Sequence, residues 1–362
     1  MSFTLYAVGD IMLGEQDLCE NFGVKSVIMK NGSNFPFREV SHIFKDGDII
    51  FGNLECSIRS TNSKSNEKSS FFCAEPDVIY GLKNAHFNVL SVANNHIMEN
   101  GRETFLDTIK ILTENDIHLV GIKNTVETFD IKGYRIAFLA YSFIDDYISD
   151  ACYNKIKSED VIIKDVEKTK SISDLVIVSL HWGCEYVPYP SPDQIQIGRS
   201  LIDAGVDIIL GGHPHITQSY EIYKNRPIIY SLGNFIFDHT YIPSTRESFI
   251  AKITVHGSPD NLESIDVHVI PVIIDECDYH TQVIDSPQSD AFLTSVETIR
   301  NTFENRSLSD YSEYIGDYDL LYEQYKKTVK KNMKVHFIKN FYRYSFSTVC
   351  HTITSYLKKS LG

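Results

Sequence analysis

Short β-branched runs that stop abruptly on a polar residue constrain this chain more than any other feature. Asp10 closes the first run (YAVGD), Asn53 and Glu55 the second (IIFGNLE), and Asn94-Asn95-His96 the third (VLSVANNH). His181 closes a later run (LVIVSLH), and His213 and His215 follow another (DIILGGHPH). Candidate strands are Phe3–Val8, Asp48–Phe51, Val89–Ala93, His118–Val120, Arg135–Ser142, Leu175–His181 and Asp207–Leu210. Helical patterns lie between them at Pro76–Asn84, Gly101–Asn115, Ser158–Ser171 and Asp193–Ala204. Such alternation specifies an α/β domain with buried, mostly parallel strands. In an open α/β sheet, ligands collect beyond the carboxyl ends of the strands. Five strands here deliver Asp, Glu, Asn or His to that rim.

Each piece alone has a plain explanation. A Gly-Asp after a strand is usually a turn, because Asp bonds its own backbone. An Asn-Asn-His before a helix reads as a cap, and a lone His at a strand end as a satisfied rim residue. Turn chemistry does not explain oxygen and imidazole donors at five strand ends, with a Pro-stiffened His-x-His among them. That conjunction is the donor set of a divalent metal site.

Residues 216–275 change character. Tyr220–Tyr223, Pro227–Leu232, Phe249–Val255 and Ile265–Ile274 read as strands without intervening helices, which predicts a second, mainly antiparallel sheet. The polar stretch Ser57–Ser70 reads as an exposed loop. After Pro287 the pattern is helical, over Asp290–Phe303, Asp310–Lys331 and Val335–Lys358. The expected division is a domain over 1–280 and a helical, basic C-terminal extension over 281–362.

The set GDIMLG, FGNLE, VANNH, LHWGCEY, GGHPH and YSLGNFIFD resembles the CapA (poly-γ-glutamate synthesis protein) family, a branch of the calcineurin-like metallophosphoesterase superfamily. The resemblance covers residues 3 to 275. It implies a four-layer αββα metallophosphatase-like sandwich carrying two divalent metal ions (Mn, Fe or Zn) at the strand ends. By the same resemblance, Asp10 and His215 bind one metal, Asn95, His181 and His213 the other, and Asn53 or Glu55 lies between them. His96 stands where the superfamily places the acid that protonates the leaving group. Glu185 and Tyr186, beside His181, are candidate substrate contacts, as is Arg246 in the loop after YSLGNFIFD. Asn234 and Asp238 within that motif read as structural framing. Two departures stand out: Met12 replaces the imidazole of the superfamily's first motif, and Gly52-Asn53 replaces its Gly-Asp. Both favour an oxygen-rich site at the first metal.

The implied activity is metal-dependent hydrolysis or transfer at a phosphoryl or amide centre, in synthesis or processing of a poly-γ-glutamate or related capsular polymer. A dinuclear site would activate water and neutralise charge on a phosphoryl or acyl oxygen. Two alternatives stand beside it: a soluble metallophosphodiesterase unrelated to capsule, and a non-catalytic assembly factor of a membrane polymer synthase.

Charge refines the partners. The 362 residues carry a net −14, but from 326 to 362 there are nine Lys or Arg and no acid, leaving −23 on the other 325 residues. An acidic body excludes a general nucleic-acid binder and opposes an anionic polymer unless cations offset the repulsion locally. The tail interleaves aromatic and basic residues, as in a helix lying on an anionic membrane or one docked on the acidic body. Seven cysteines without a CxxC fit reduced thiols. With neither a signal peptide nor an apolar span legible, a cytoplasmic protein, peripheral to the membrane through 326–362, is the expectation.

Overall fold

The computed structural model describes residues 2–60, 71–345 and 348–349. The first third of the chain lays down β1 (Ser2–Ile11), α1 (Val24–Asn31), β2 (Ile49–Leu54), the short pair β3 (Ser57–Ile58) and β4 (Cys73–Ala74), α2 (Val78–Asn84), β5 (Val89–Ser91), α3 (Gly101–Thr113) and β6 (His118–Val120). Then come β7 (Glu127–Ile131), β8 (Tyr134–Ser142), α4 (Asp160–Thr169), β9 (Leu175–His181), α5 (Pro192–Ala204) and β10 (Ile208–Gly212). The strands β11 (Thr217–Tyr223), β12 (Arg226–Leu232), β13 (Asn234–Ile236), β14 (Glu247–Ser258), β15 (Asn261–Ile274) and β16 (Thr281–Val283) follow without a helix longer than one 3-10 turn. Helices α6 (Gln288–Phe303), α7 (Leu308–Ile315) and α8 (Tyr318–Asn340) follow.

Two sheets face each other, ordered β16-β15-β14-β1-β2-β5-β6 and β11-β12-β10-β9-β8-β7, with β13 added alongside β1. The separate antiparallel sheet predicted for 216–275 does not form. Its strands instead extend both sheets: β11 and β12 join the second, β14 and β15 the first. Strand alternation along β8 shows why the sheets stack. Ile136, Phe138 and Ala140 face the first sheet, where Phe138 stacks on Phe51 at 5.1 Å, while Ala137, Leu139 and Tyr141 face α4 and α5. On the outer side of the first sheet, Phe37, Phe44 and Phe87 close against Phe235. The result is the four-layer α/β sandwich that the resemblance implies.

Local signals fix the supporting elements. Helix α5 opens on a capping box between Ser191 and Gln194, with Pro192 in its first turn, and closes on Gly205 at φ 112°. Its Ile195, Leu201 and Ile202 pack on the back of β9 and β10. The helix predicted over Asp310–Lys331 is broken instead: Gly316 adopts φ 69°, and Asp317 restarts α8 by accepting the Leu320 N–H. The helix expected over Val335–Lys358 is the end of α8 as far as Asn340; residues 346–347 and 350–362 lie outside the described residues, as do 61–70 of the predicted loop.

The tail helix docks on the body. His336 Nε2 lies 3.0 Å from the Leu18 carbonyl, the Tyr344 hydroxyl donates to the same oxygen, and the Ser345 N–H donates to Glu20. Among the described residues, no helix is long and apolar enough to cross a membrane.

Candidate metal centre

Strand register brings the polar strand ends together. On the first sheet, Asp10 pairs with Asn53 of β2 and with Asn234 of β13, and Asn53 pairs with Ser91 of β5. On the second, His181 pairs with Ser142 of β8 and Gly212 of β10. The carboxyl ends of both sheets therefore open on one rim. Gly212 allows the close approach: a Cβ there would lie 2.6 Å from Asp10 Oδ1.

The donors converge on His181. Its Nε2 has Asn95 Oδ1 at 2.8 Å, His213 Nδ1 at 3.2 Å and Glu55 Oε1 at 3.3 Å. Beside it, Asp10 Oδ2 lies 3.5 Å from His215 Nδ1 and accepts the His213 backbone N–H at 3.1 Å. Asp10, Glu55 and His181 form one group with ligand atoms within 4.8 Å of one another, and Glu185, His213 and His215 form a second. Of the sequence-predicted ligands, Asp10, Asn53, Glu55, Asn95, His181, His213 and His215 thus share one cluster.

The backbone here is strained. His213 and His215 adopt φ 94° and 60°, on either side of Pro214, and Tyr186 adopts φ 67°. Each such conformation costs on the order of 1–3 kcal/mol and persists only where surrounding contacts enforce it. Here it aims both imidazoles at the cluster.

Electrostatics make this a cation site. Asp10 and Glu55 are fully buried side by side. Burial pushes the Asp10 carboxyl up to about 6, and burial together with the Asp10 and Glu185 charges pushes Glu55 well above the usual carboxylate range. Burial also holds His181 and His213 well below the ordinary imidazole value and His215 at about 3. The imidazoles are therefore neutral, with free lone pairs, and the carboxylates lack a counter-charge. Glu55 Oε2 has no donor among the described residues, and the Glu55 carboxyl lies against that of Asp10, so a proton or a cation would satisfy the pair. A donor set of carboxylate, carboxamide and neutral imidazole fits a borderline divalent ion.

Asn53 is held in one orientation. The Asn94 side chain is fixed by donating to the Leu54 carbonyl and accepting two backbone N–H groups, from His96 and Ile97. Its remaining donor contact is Asn53 Oδ1, at 3.1 Å. Asn53 Nδ2 consequently faces inward, 2.8 Å from Asp10 and 3.1 Å from Glu55.

The other predicted site residues distribute as follows. His96 sits at the rim, with Nε2 3.1 Å from Asn95 Nδ2 and Nδ1 2.7 Å from Glu99 Oε1, its ring stacked on Phe72 at 4.2 Å. Glu185 lies within metal-ligand reach of His213 and His215, and the Tyr186 ring lies 6.0 Å from that of His215. Arg246 is not in the cluster; it pairs with Glu276 at 3.2 Å in a neighbouring cleft. Asn234 frames the site by holding His215 Nδ1 at 2.9 Å, and Asp238 by accepting from the Gln16 backbone and side chain. Trp182 is buried and donates to the Tyr230 carbonyl, a packing role.

Sequence reasoning missed His239. It is buried, its ring lies 5.0 Å from that of His215, and its Nδ1 has no partner among the described residues. Its signal was its place directly after YSLGNFIFD, which ends the strand paired with Asp10. The link to Asp10 is visible only once β13 is known to run parallel to β1.

A family model described as bacterial capsule synthesis protein PGA_cap matches residues 4–239. The chain belongs to this family. Among its relatives, the capsule biosynthesis protein CapA of Bacillus anthracis is 34% identical over 293 residues, 75% of this chain and 68% of the relative. The PGA biosynthesis protein CapA of Bacillus subtilis (strain 168) is 29% identical over 315 residues, 82% of this chain and 81% of the relative. Among solved structures, a novel phosphatase from Mycoplasma pneumoniae aligns with 13% identity and a TM-score of 0.47, covering 80% of this chain and 97% of that one. The two ligand groups at this rim lie within the segment that the family model matches, whereas a third group of possible ligands, Asp275, Asp278 and His280, lies beyond it.

Proposed function

We propose that this member of the CapA family is a metal-dependent enzyme that hydrolyses or transfers at a phosphoryl or amide centre of poly-γ-glutamate or a related capsule polymer. The observation that carries this reading is the convergence of Glu55, Asn95 and His213 on His181 Nε2 within 3.3 Å, beside the buried Asp10 and His215 pair. Asp10 and His215 would hold one divalent ion, and Asn95, His181 and His213 a second. Glu55 would lie between them, because the Asn94 contact turns the Asn53 nitrogen, not its oxygen, inward. Divalent ions held there supply Lewis acidity, lowering the pKa of water and offsetting charge on a phosphoryl or acyl oxygen.

The chain's own groups supply the rest. His96 carries a proton to the departing oxygen, and Glu99 fixes the ring by its bond to Nδ1. Tyr186 lines the substrate side, and Glu185 adds a further carboxylate ligand facing His213 and His215. Metal analysis, with turnover of a model phosphodiester and of a γ-glutamyl amide in Mn²⁺, tests this reading against His96→Ala and His213→Ala. The expected result is bound metal and turnover in wild type, metal retained but turnover lost in His96→Ala, and metal lost in His213→Ala. Protein that binds metal, turns over neither substrate and co-purifies with synthase components would establish the assembly-factor alternative instead.

A membrane role for the tail has its own support. Ile338, on the face of α8 that also carries Lys327, Lys331 and Lys334, is 73% exposed, and Phe341 and Tyr342, in the turn that follows the helix, are 52% and 82% exposed. We infer that this face rests on an anionic bilayer, keeping the protein beside membrane polymer synthase components.

A further inference from the structure

We propose that the cleft under α8 is a polycarboxylate-binding subsite that holds an acidic segment of the polymer while the reacting bond lies at the metal rim; this rests on the reading above. The cleft has a volume of about 560 Å³ and lies between the end of α8 and the loops around β14 and β16. Three cations line it, Arg246, Lys339 and Arg343, against a single carboxylate, Glu276. This excess of positive charge occurs on a chain whose remaining 325 residues carry −23. It is where an anionic polymer can approach without meeting the repulsion of the acidic body.

The cations have capacity to spare. Lys339 makes no ion pair among the described residues. Arg343 lies 4.3 Å over the Phe22 ring and spends one donor on Asn340 Oδ1. Arg246 spends Nε on the Ile274 carbonyl and Nη1 on Glu276. That last pair models the ligand: an incoming carboxylate takes the place of Glu276, whose side chain is 68% exposed and free to swing out. The spread of the cations and the volume suit several carboxylates on a chain rather than one compact phosphate.

Position links the cleft to the chemistry. Tyr241 is one of its walls, its ring tilted against that of His336 at 4.4 Å. Tyr241 also lies 5.6 Å from His239, which lies 5.0 Å from His215. The cleft is thus two ring contacts from the candidate ligand His215.

The test is binding of a fluorescent γ-linked glutamate oligomer to chelator-treated full-length protein, which separates it from any failure of metal-dependent turnover. Wild type is expected to bind saturably, and more weakly as salt rises. Lys339→Ala/Arg343→Ala, on exposed positions, should weaken binding by about ten-fold or more, whereas Lys327→Ala/Lys331→Ala, on the other face of α8, should change it less than about two-fold. Equal binding by wild type and the cleft variant, or none by wild type, overturns the proposal. So does displacement of the oligomer by an equal concentration of inorganic phosphate, which would make the cleft a phosphate site.

Discussion

Glu99 Oε1 lies 2.7 Å from His96 Nδ1, across a single turn of chain, while the imidazole lies flat on Phe72. The two contacts fix both the tilt of the ring and the atom that faces the rim, Nε2. Nothing in Glu99 reaches the metal ligands, so its part is positioning. Glu99→Gln should therefore lower kcat by about ten-fold, less than the hundred-fold or more expected of His96→Ala. KM and bound metal should stay unchanged, and Glu99→Asp should recover part of the rate. A fall in metal content in Glu99→Gln, measured alongside turnover, would refute the positioning role.

Metal affinity should depend on pH through the carboxylates. Burial pushes the Asp10 carboxyl up to about 6 and the Glu55 carboxyl well above the usual carboxylate range, so each must shed a proton as a cation enters, whereas His181, His213 and His215 are already neutral. Affinity for Mn²⁺ should rise with pH, by about ten-fold per pH unit for each proton displaced, and level off once both carboxyls are ionised. Glu55→Gln should weaken binding and flatten the profile. Chelator competition from pH 5.5 to 8.5 measures both, and a flat wild-type profile would show that these carboxylates are not ligands.

The strand-end donors were legible in the sequence because strand periodicity is local: a buried run that stops on Asp10, Asn53 or His181 states where its rim lies. The allocation of strands to sheets was not. That β14 extends the first sheet depends on contacts more than 100 residues apart, such as Ala7 with Ala251, which no local pattern encodes. His239 escaped for the same reason, since its neighbour His215 is reached only through the parallel pairing of Asp10 with Asn234. Glu185 was visible beside His181, but its approach to the His213 and His215 imidazoles was not. The break at Gly316 left a signal, Gly-Asp ahead of an apolar run, that the surrounding helical pattern concealed.

Asp238 should make stability fall as pH rises. Burial pushes its carboxyl up to about 7, although the Gln16 N–H groups favour its ionised form. A carboxyl raised in the folded state contributes stability that is fully present below its unfolded value near 3.8 and is lost as pH climbs through 7. Asp238→Asn keeps an acceptor for the Gln16 backbone and carries no charge to bury. Its stability relative to wild type should improve by on the order of 4 kcal/mol between pH 4 and 8. Urea unfolding of both proteins across that range gives the difference directly, with other titrating groups cancelling. A difference independent of pH would mean that the carboxyl stays ionised in the fold.

The exposed end of α8 supplies the last prediction. Residues 327, 331, 334, 338 and 341 recur at helical spacing, so three lysines and two large apolar side chains form one stripe. The opposite face is committed to the body through Val329 and His336. A stripe of this kind inserts its apolar side chains at the headgroup boundary while its lysines meet anionic lipid, each worth about 1 kcal/mol near the surface. Wild-type protein should therefore float with vesicles containing phosphatidylserine and remain in solution with neutral ones. Ile338→Asp/Phe341→Asp should abolish flotation without unfolding the protein, because both positions are solvent-exposed. Since neither residue lines the cleft under the helix, oligomer binding should persist in this variant. Equal flotation of wild type and variant would remove the membrane from the role of α8 and leave the helix to the cleft alone.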